Sequence, residues 1–95
     1  MRNYQRQKNN PYKLPHNLYM RMLYLIRDYD RIKDTKNPNC TAVDAALNTI
    51  PAEYRKGVFD NICYQMPYPI DASEATYKRW RARFVFEVAK KLSEI

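Results

Sequence analysis

The C-terminal segment carries one unbroken amphipathic helical pattern, and it constrains the fold more than any other part of the chain. Its apolar side chains recur at three- and four-residue steps, at Tyr77, Trp80, Phe84, Val88, Leu92 and Ile95. This spacing places them on one face of a helix and predicts that Trp80 is buried. Asp71 and Ser73 are good helix caps, and nothing after them breaks a helix. The sequence therefore predicts a helix from there to the C-terminus.

Three earlier segments also show helical periodicity. The first begins at Leu14 and covers about five turns, with apolar positions at Leu18, Met22, Leu25, Ile26, Tyr29 and Ile32. Turn-forming residues 34–40 end it, and a short second helix is predicted to start at the capping residue Thr41. The third starts at Ile50-Pro51, because proline suits a first helical turn, and its apolar stripe runs to Cys63.

These patterns predict an all-α fold, a small bundle of three long helices and one short helix with a helix-turn-helix-like C-terminal half. No segment shows sustained period-two alternation, and the single glycine, Gly57, lies inside a helical pattern. A length of 95 residues suits one small domain. Residues 1–13 are polar and basic without periodicity and are predicted to be a flexible arm, so residues 14–95 form the single helical domain.

The charge is unevenly placed along the chain. The formal net charge is +7. Residues 1–33 carry eight Lys/Arg and two acids. Residues 34–72 carry three Lys/Arg and five acids, and residues 73–95 carry six Lys/Arg and three acids. Both ends are therefore basic and the middle is mildly acidic. This distribution favours a polyanionic partner, with double-stranded DNA as the first choice and a membrane surface as a distant one.

Other classes of function find little support in the sequence. No run of about 18 apolar residues exists, so neither a membrane span nor a signal peptide is expected, and the location is predicted to be cytoplasmic. Cys40 and Cys63 have no metal-site spacing with the lone His16; Cys63 is expected to be buried and Cys40 to lie in a loop. With no catalytic constellation and no glycine-rich phosphate loop, we expect no enzyme activity, no metal and no cofactor.

The candidate DNA contacts lie in two places. The first turns of the last helix carry Thr76, Lys78, Arg79 and Arg83 beside the apolar stripe, where cations can reach phosphates and base edges. In the arm, Arg2 and Arg6 stand among asparagines, as in arms that enter a minor groove. A soluble disordered tail is the alternative interpretation of the arm.

Two segments resemble phage and mobile-element transcriptional regulators of the ArpU/RinA type, whose C-terminal helices are sigma-factor-like. They are residues 50–58 (IPAEYRKGV) followed by 68–72 (YPIDA), and residues 76–80 (TYKRW) leading to Phe84, Val88 and Leu92. Residues 12–15 and 25–29 resemble the first helix of the same group. The resemblance implies that the last helix reads DNA, that residues 50–64 brace it, and that Trp80 and Phe84 hold it in place.

One departure from that group leaves a second function open. Only about eight residues, two of them proline, separate the last two helices, where a sigma-type unit has a short helix. The alternative is a phage-encoded inhibitor or adaptor that binds RNA polymerase or another protein, using its basic face or the tyrosine-rich connection 64–70 on an acidic partner. Tyr64 and Tyr68 are expected mainly to cover the end of the core. The sequence sets no oligomeric state.

Overall fold

The computed structural model describes residues 12–95, and these residues form five helices around one apolar core. The helices are α1 (His16–Arg27), α2 (Tyr29–Ile32), α3 (Pro38–Leu47), α4 (Ala52–Cys63) and α5 (Glu74–Lys91). No strand occurs within residues 12–95. The predicted all-α bundle is therefore confirmed.

The long first helix of the prediction is divided into α1 and α2 at Asp28. Its backbone N–H lies 3.2 Å from the carbonyl oxygens of both Tyr24 and Leu25, a shared bond common at helix ends. The Asp28 carboxylate also accepts a 2.7 Å hydrogen bond from Nε of Arg31 in α2. The short α2 then places Ile32 in the interior.

The predicted start of the second helix at Thr41 is wrong, because α3 begins earlier. Asn37 is its N-cap, and the Asn37 side chain accepts a 2.8 Å hydrogen bond from the backbone N–H of Asn39. Pro38 occupies the first helical position, where its missing N–H costs nothing. The Asn-Pro pair therefore opens a helix and does not merely close the preceding one.

The connection between α4 and α5 spans residues 64–73. It is longer than the short turn of a helix-turn-helix unit. Gln65 has φ 56°, a left-handed conformation that ends the α4 helical path. Ser73 caps α5 as predicted: its Oγ accepts a 3.1 Å hydrogen bond from the Thr76 N–H.

Helix α5 ends at Lys91, before the last apolar position of its predicted stripe. Ser93 has φ 60°, and the N–H of Glu94 donates to the carbonyl of Ala89 at 2.9 Å. This closing pattern is that of a left-handed helix terminus. Ile95 consequently leaves the helix and is 54% exposed.

The core surrounds α5, which packs against α1, α3 and α4. Four residues in its second half are completely buried, Phe84, Val85, Val88 and Ala89. Tyr77, in its first turn, is also completely buried. Trp80 is only half-buried, contrary to the prediction, and its ring stacks against Tyr54 at 6.0 Å. The next aromatic ring of the stripe, Phe84, one turn further on, is the one that is completely buried.

The two cysteines are free, and their predicted burial is reversed. Cys40 is buried because α3 begins before it and carries it toward the core, whereas Cys63 at the end of α4 is half-buried. Burial raises the pKa of the Cys40 thiol and of the Cys63 thiol above the ordinary value. Both sulfurs therefore stay protonated at neutral pH, and neither has the low-pKa environment of a reactive thiolate.

Candidate nucleic-acid interface

The start of α5 is fixed by its own cap. The hydroxyls of Ser73 and Thr76 lie 2.9 Å apart, and Thr76 is half-buried. The Thr76 hydroxyl is therefore part of the helix cap, and only part of the Thr76 side chain is accessible to solvent. This network holds the orientation of the first two turns, and with it the direction of the cations that follow.

The predicted contact residues of α5 lie on two different sides of the helix. Each helical residue turns by about 100°, so Arg79 and Arg83 lie within roughly 60° of Thr76, whereas Lys78 lies about 160° away. Lys90 lies on the same side of the helix as Arg79 and Arg83, about two turns after Arg83. We call Thr76, Arg79, Arg83 and Lys90 the basic strip. Lys90 is not among the contacts predicted from the sequence, although its spacing of seven residues from Arg83 places both on one side of a helix.

Lys78 is engaged elsewhere. Its ammonium lies 3.5 Å from a carboxylate oxygen of Glu74, an exposed pair one turn apart on the helix. An ion pair of this kind contributes little to stability, but it neutralises the local charge. Lys78 therefore points away from the basic strip, and its charge is already opposed by a neighbouring acid.

The arginines of α5 have no carboxylate partner within residues 12–95. Six other cations of this part of the chain are in ion pairs with acids, namely Arg21, Arg31, Lys33, Lys56, Lys78 and Lys91. Arg79, Arg81 and Arg83 are in none. The Nε atoms of Arg81 and Arg83 are in addition buried and without a hydrogen-bond acceptor among these residues. The charge of these guanidinium groups is thus not opposed by an acid of this part of the chain, which favours an anionic partner.

Aromatic rings position the two arginines of the strip. The guanidinium carbon of Arg79 lies 6.0 Å from the ring centroid of Trp80. That of Arg83 lies 5.7 Å from the ring of Tyr12. Contacts with ring faces hold a guanidinium without neutralising its charge. Both cations therefore keep their full charge for another partner.

Tyr12 brings the beginning of the described chain onto the strip. Its ring packs edge-on against Phe86 of α5, with centroids 5.4 Å apart. The following residues line a shallow groove with Ala82, at Lys13, Leu14, Pro15, His16 and Tyr19. Lys13 and His16 are exposed there. Tyr12, which the sequence pattern placed in the arm, thus lies against α5. The arm candidates Arg2 and Arg6 lie outside the described residues.

One acid lies next to the strip. Glu87 is 7% exposed, and its Oε1 is 3.9 Å from the ammonium of Lys91. Glu87 follows Arg83 by one turn but forms no ion pair with it. The positive charges of Arg79 and Arg83, in the first half of the strip, are therefore not opposed by Glu87.

The described part of the chain offers neither a metal site nor a membrane span. Across residues 12–95, no group of three or more His, Cys, Asp or Glu side chains is arranged to hold a metal ion. None of the helices in the same range is long and apolar enough to cross a membrane.

The chain was also compared with known proteins. No protein-family model, curated protein or solved structure matches it.

Proposed function

We propose that this chain binds double-stranded DNA through the basic strip and acts as a transcriptional regulator. The observation that carries the proposal is that Arg79 and Arg83, the two arginines of the strip, have no carboxylate partner among residues 12–95, on a helix where Lys78 and Lys91 are each paired with an acid. Phosphate is the anion that best satisfies several neighbouring guanidinium groups at once.

The packing of α5 defines how such binding works. Since α1, α3 and α4 cover the helix, its exposed residues lie in the first two turns and at Lys90 and Lys91, and Arg83 between them is half-buried. From Arg79 to Lys90 the strip extends about 16 Å along the helix axis. This length suits contact with consecutive phosphates along one edge of a groove. Base reading is then confined to the start of the helix, near Thr76 and Arg79.

The arm fits the same interface. The described chain begins at Tyr12, which lies against Arg83. In the sequence, Tyr12 follows directly on residues 1–11, which carry Arg2 and Arg6. We propose that these arginines contact the adjacent minor groove. The resemblance of residues 76–80 to ArpU/RinA-type regulators also supports a DNA-reading role for α5.

The test is a fluorescence-anisotropy titration of a duplex of about two helical turns at several salt concentrations between about 50 and 200 mM. The wild-type chain is compared with the Arg79→Gln, Arg83→Gln double variant, which removes two charges but keeps most of each side chain. We expect weaker binding and a salt slope flatter by up to about 1.8, or 0.9 for each phosphate that is no longer neutralised.

The matched control is the Lys33→Gln, Lys36→Gln double variant, which removes the same charge from two exposed positions near the start of α3. Under the proposal it binds nearly as well as the wild type. An equal reduction in both variants would attribute the effect to net charge and contradict the assignment of the strip. No DNA binding by the wild type at about 50 mM salt would overturn the proposal.

A further inference from the structure

The connection between α4 and α5 exposes apolar side chains on the surface. Within residues 12–95, three large apolar residues of this connection are strongly exposed, Tyr64, Met66 and Ile70. Ile70 is 102% exposed and so touches almost nothing in the chain. We call residues 64–70 the proline loop, after Pro67 and Pro69. A cluster of exposed apolar side chains in a short segment marks an interaction site more often than scattered ones do.

The proline loop is held in one conformation by the residues that do pack. The Tyr68 ring stacks on buried Tyr77, with centroids 5.3 Å apart and planes at 15°. Pro69 lies so close to Gly57 that a Cβ at position 57 would be 2.8 Å from its Cδ. The Asn61 side-chain amide donates a 2.8 Å hydrogen bond to the Met66 carbonyl. Met66 and Ile70 are therefore presented on a fixed support, which lowers the entropic cost of binding.

Acidic side chains surround this loop. Two grooves border it on either side of the prolines, and the acids that line them are Glu53, Asp60, Asp71 and Glu74. Two lysines oppose part of this charge: Lys56 lies 2.8 Å from the Asp60 carboxylate, and Lys78 lies 3.5 Å from that of Glu74. Four acids against two lysines leave a negative balance. The surroundings of the loop are thus negative in a chain of net charge +7. Polyanions are repelled here, and positively charged groups are attracted.

We infer that the proline loop is a docking surface for a basic polypeptide segment that carries an apolar anchor residue. The anchor contacts Ile70 and Met66, and flanking Lys or Arg side chains are attracted by the net negative charge of these acids, of which Glu53 is in no ion pair among residues 12–95. This partner has the opposite charge to the acidic partner that the sequence alone suggested for the connection. The surface is separate from the basic strip, because the loop packs on Tyr77, about 100° around α5 from Thr76.

The inference does not depend on the proposed DNA binding, and its test uses no DNA. Random dodecapeptides displayed on phage are selected on the immobilised full-length chain, with counter-selection on the Ile70→Ser variant. The expected result is an enriched set in which Lys or Arg flanks one or two large apolar residues. Failure to enrich any peptide, or enrichment of acidic ones, would overturn the inference.

The enriched peptide is then titrated calorimetrically against purified variants. Ile70→Ser is expected to weaken binding about tenfold, since one exposed aliphatic side chain contributes on that order when covered. The Glu53→Gln, Glu74→Gln double variant should weaken it further at low salt and reduce its salt dependence. The control is Ile95→Ser, which removes an exposed isoleucine elsewhere and should leave affinity unchanged. Equal affinity for Ile70→Ser and the wild type would place the peptide site elsewhere and contradict the inference.

Discussion

The hydroxyl of Tyr77 donates a 2.6 Å hydrogen bond to the carboxylate of Asp71. This contact ties the first turn of α5 to the connection that precedes it. The Tyr77 ring is completely buried, stacked on Tyr68 and edge-on to Tyr54 at 5.4 Å. The same residue therefore anchors the base of the proline loop and fixes the beginning of the helix that carries the basic strip. Two other tyrosine–aspartate bonds, Tyr29 to Asp44 and Tyr64 to Asp30, connect further elements.

The Tyr77–Asp71 bond predicts a loss of stability at alkaline pH. The hydrogen bond to Asp71 is the main cause that raises the Tyr77 pKa from 10.0 to about 12. A hydroxyl that holds its proton more tightly in the folded chain stabilises the fold fully below the unfolded pKa near 10. That stabilisation is lost as the pH rises toward 12. We therefore expect the urea concentration at the unfolding midpoint to fall as the pH is raised from about 9 to about 12, the range in which the unfolded and then the folded tyrosine lose their protons.

The Asp71→Asn variant is the control for this pH effect. The amide still offers an acceptor oxygen but carries no charge, so the Tyr77 pKa should move back toward its ordinary value. Carbon-13 NMR of the tyrosine Cζ atoms would follow the titration directly. Because the pKa values of Tyr29 and Tyr64 are also raised to about 12, the Tyr77 signal is assigned by its absence from a Tyr77→Phe variant. If that signal titrates at the same pH in Asp71→Asn and the wild type, Asp71 is not the cause of the shift.

Replacement of Gly57 in α4 by alanine is predicted to lower the stability of the fold. A Cβ at this position would lie 2.6 Å from Cε1 of Tyr77 and 2.8 Å from Cδ of Pro69. Alanine gains about 1 kcal/mol of helix propensity over glycine, but overpacking against a fully buried ring costs roughly 1–3 kcal/mol. We therefore expect Gly57→Ala to be destabilising in chemical denaturation. In the Gly57→Ala background, Pro69→Ala should restore part of the stability. A Gly57→Ala chain more stable than the wild type would show that Tyr77 shifts without cost.

Much of the fold was readable from the sequence because its helices have clear apolar periodicity. The beginnings of α4 and α5 were placed to within a residue or two, with Pro51 and Ser73 as their N-caps, since each stands beside an uninterrupted pattern. The start of α3 was missed because Asn-Pro serves both as a breaker and as a cap followed by a first-turn proline, and local sequence does not separate these roles. The reversed burial of Cys40 and Cys63 follows from that one shift of a helix boundary.

The candidate interface was only partly visible in the sequence. Periodicity showed that cations flank the apolar stripe of α5, but it did not show which of them have acidic neighbours. The structure separates Lys78, paired with Glu74, from Arg79 and Arg83. It also brings Tyr12 onto Arg83, a contact between residues distant in sequence that no local pattern encodes. The acidic surroundings of the proline loop likewise come from two helices and the connection between them, and become apparent only after folding.

Phe84 is predicted to contribute more to stability than Trp80, although tryptophan is the larger residue. Phe84 is fully buried at the centre of the bundle, whereas Trp80 is half-buried and stacks on Tyr54. Phe84→Ala should cost about 3–5 kcal/mol, the range for a buried aromatic ring, and Trp80→Ala clearly less. Equilibrium urea unfolding of both variants checks the order. If Trp80→Ala is the more destabilising of the two, the half-buried Trp80 ring contributes more to stability than the fully buried Phe84 ring, and the prediction is wrong.

The last prediction separates Lys78 from Arg79 in DNA binding. Both are exposed, adjacent in sequence and equal in charge, so an interface set by composition alone would use them equally. The structure places Arg79 in the basic strip and Lys78 toward Glu74, 3.5 Å away. Arg79→Gln should therefore flatten the salt slope by up to about 0.9, whereas Lys78→Gln should leave it nearly unchanged.

The two single variants have the same net charge, so each serves as the control for the other. Exposed charges contribute little to stability, and both proteins should unfold at nearly the wild-type denaturant midpoint. Fluorescence-anisotropy titrations of one duplex at matched salt concentrations give the comparison. If Lys78→Gln flattens the slope as much as Arg79→Gln, the DNA-binding surface lies across the first turn of α5 and not along the strip. If only Lys78→Gln flattens the slope, DNA binds the face opposite the strip, and the orientation proposed here for α5 is wrong.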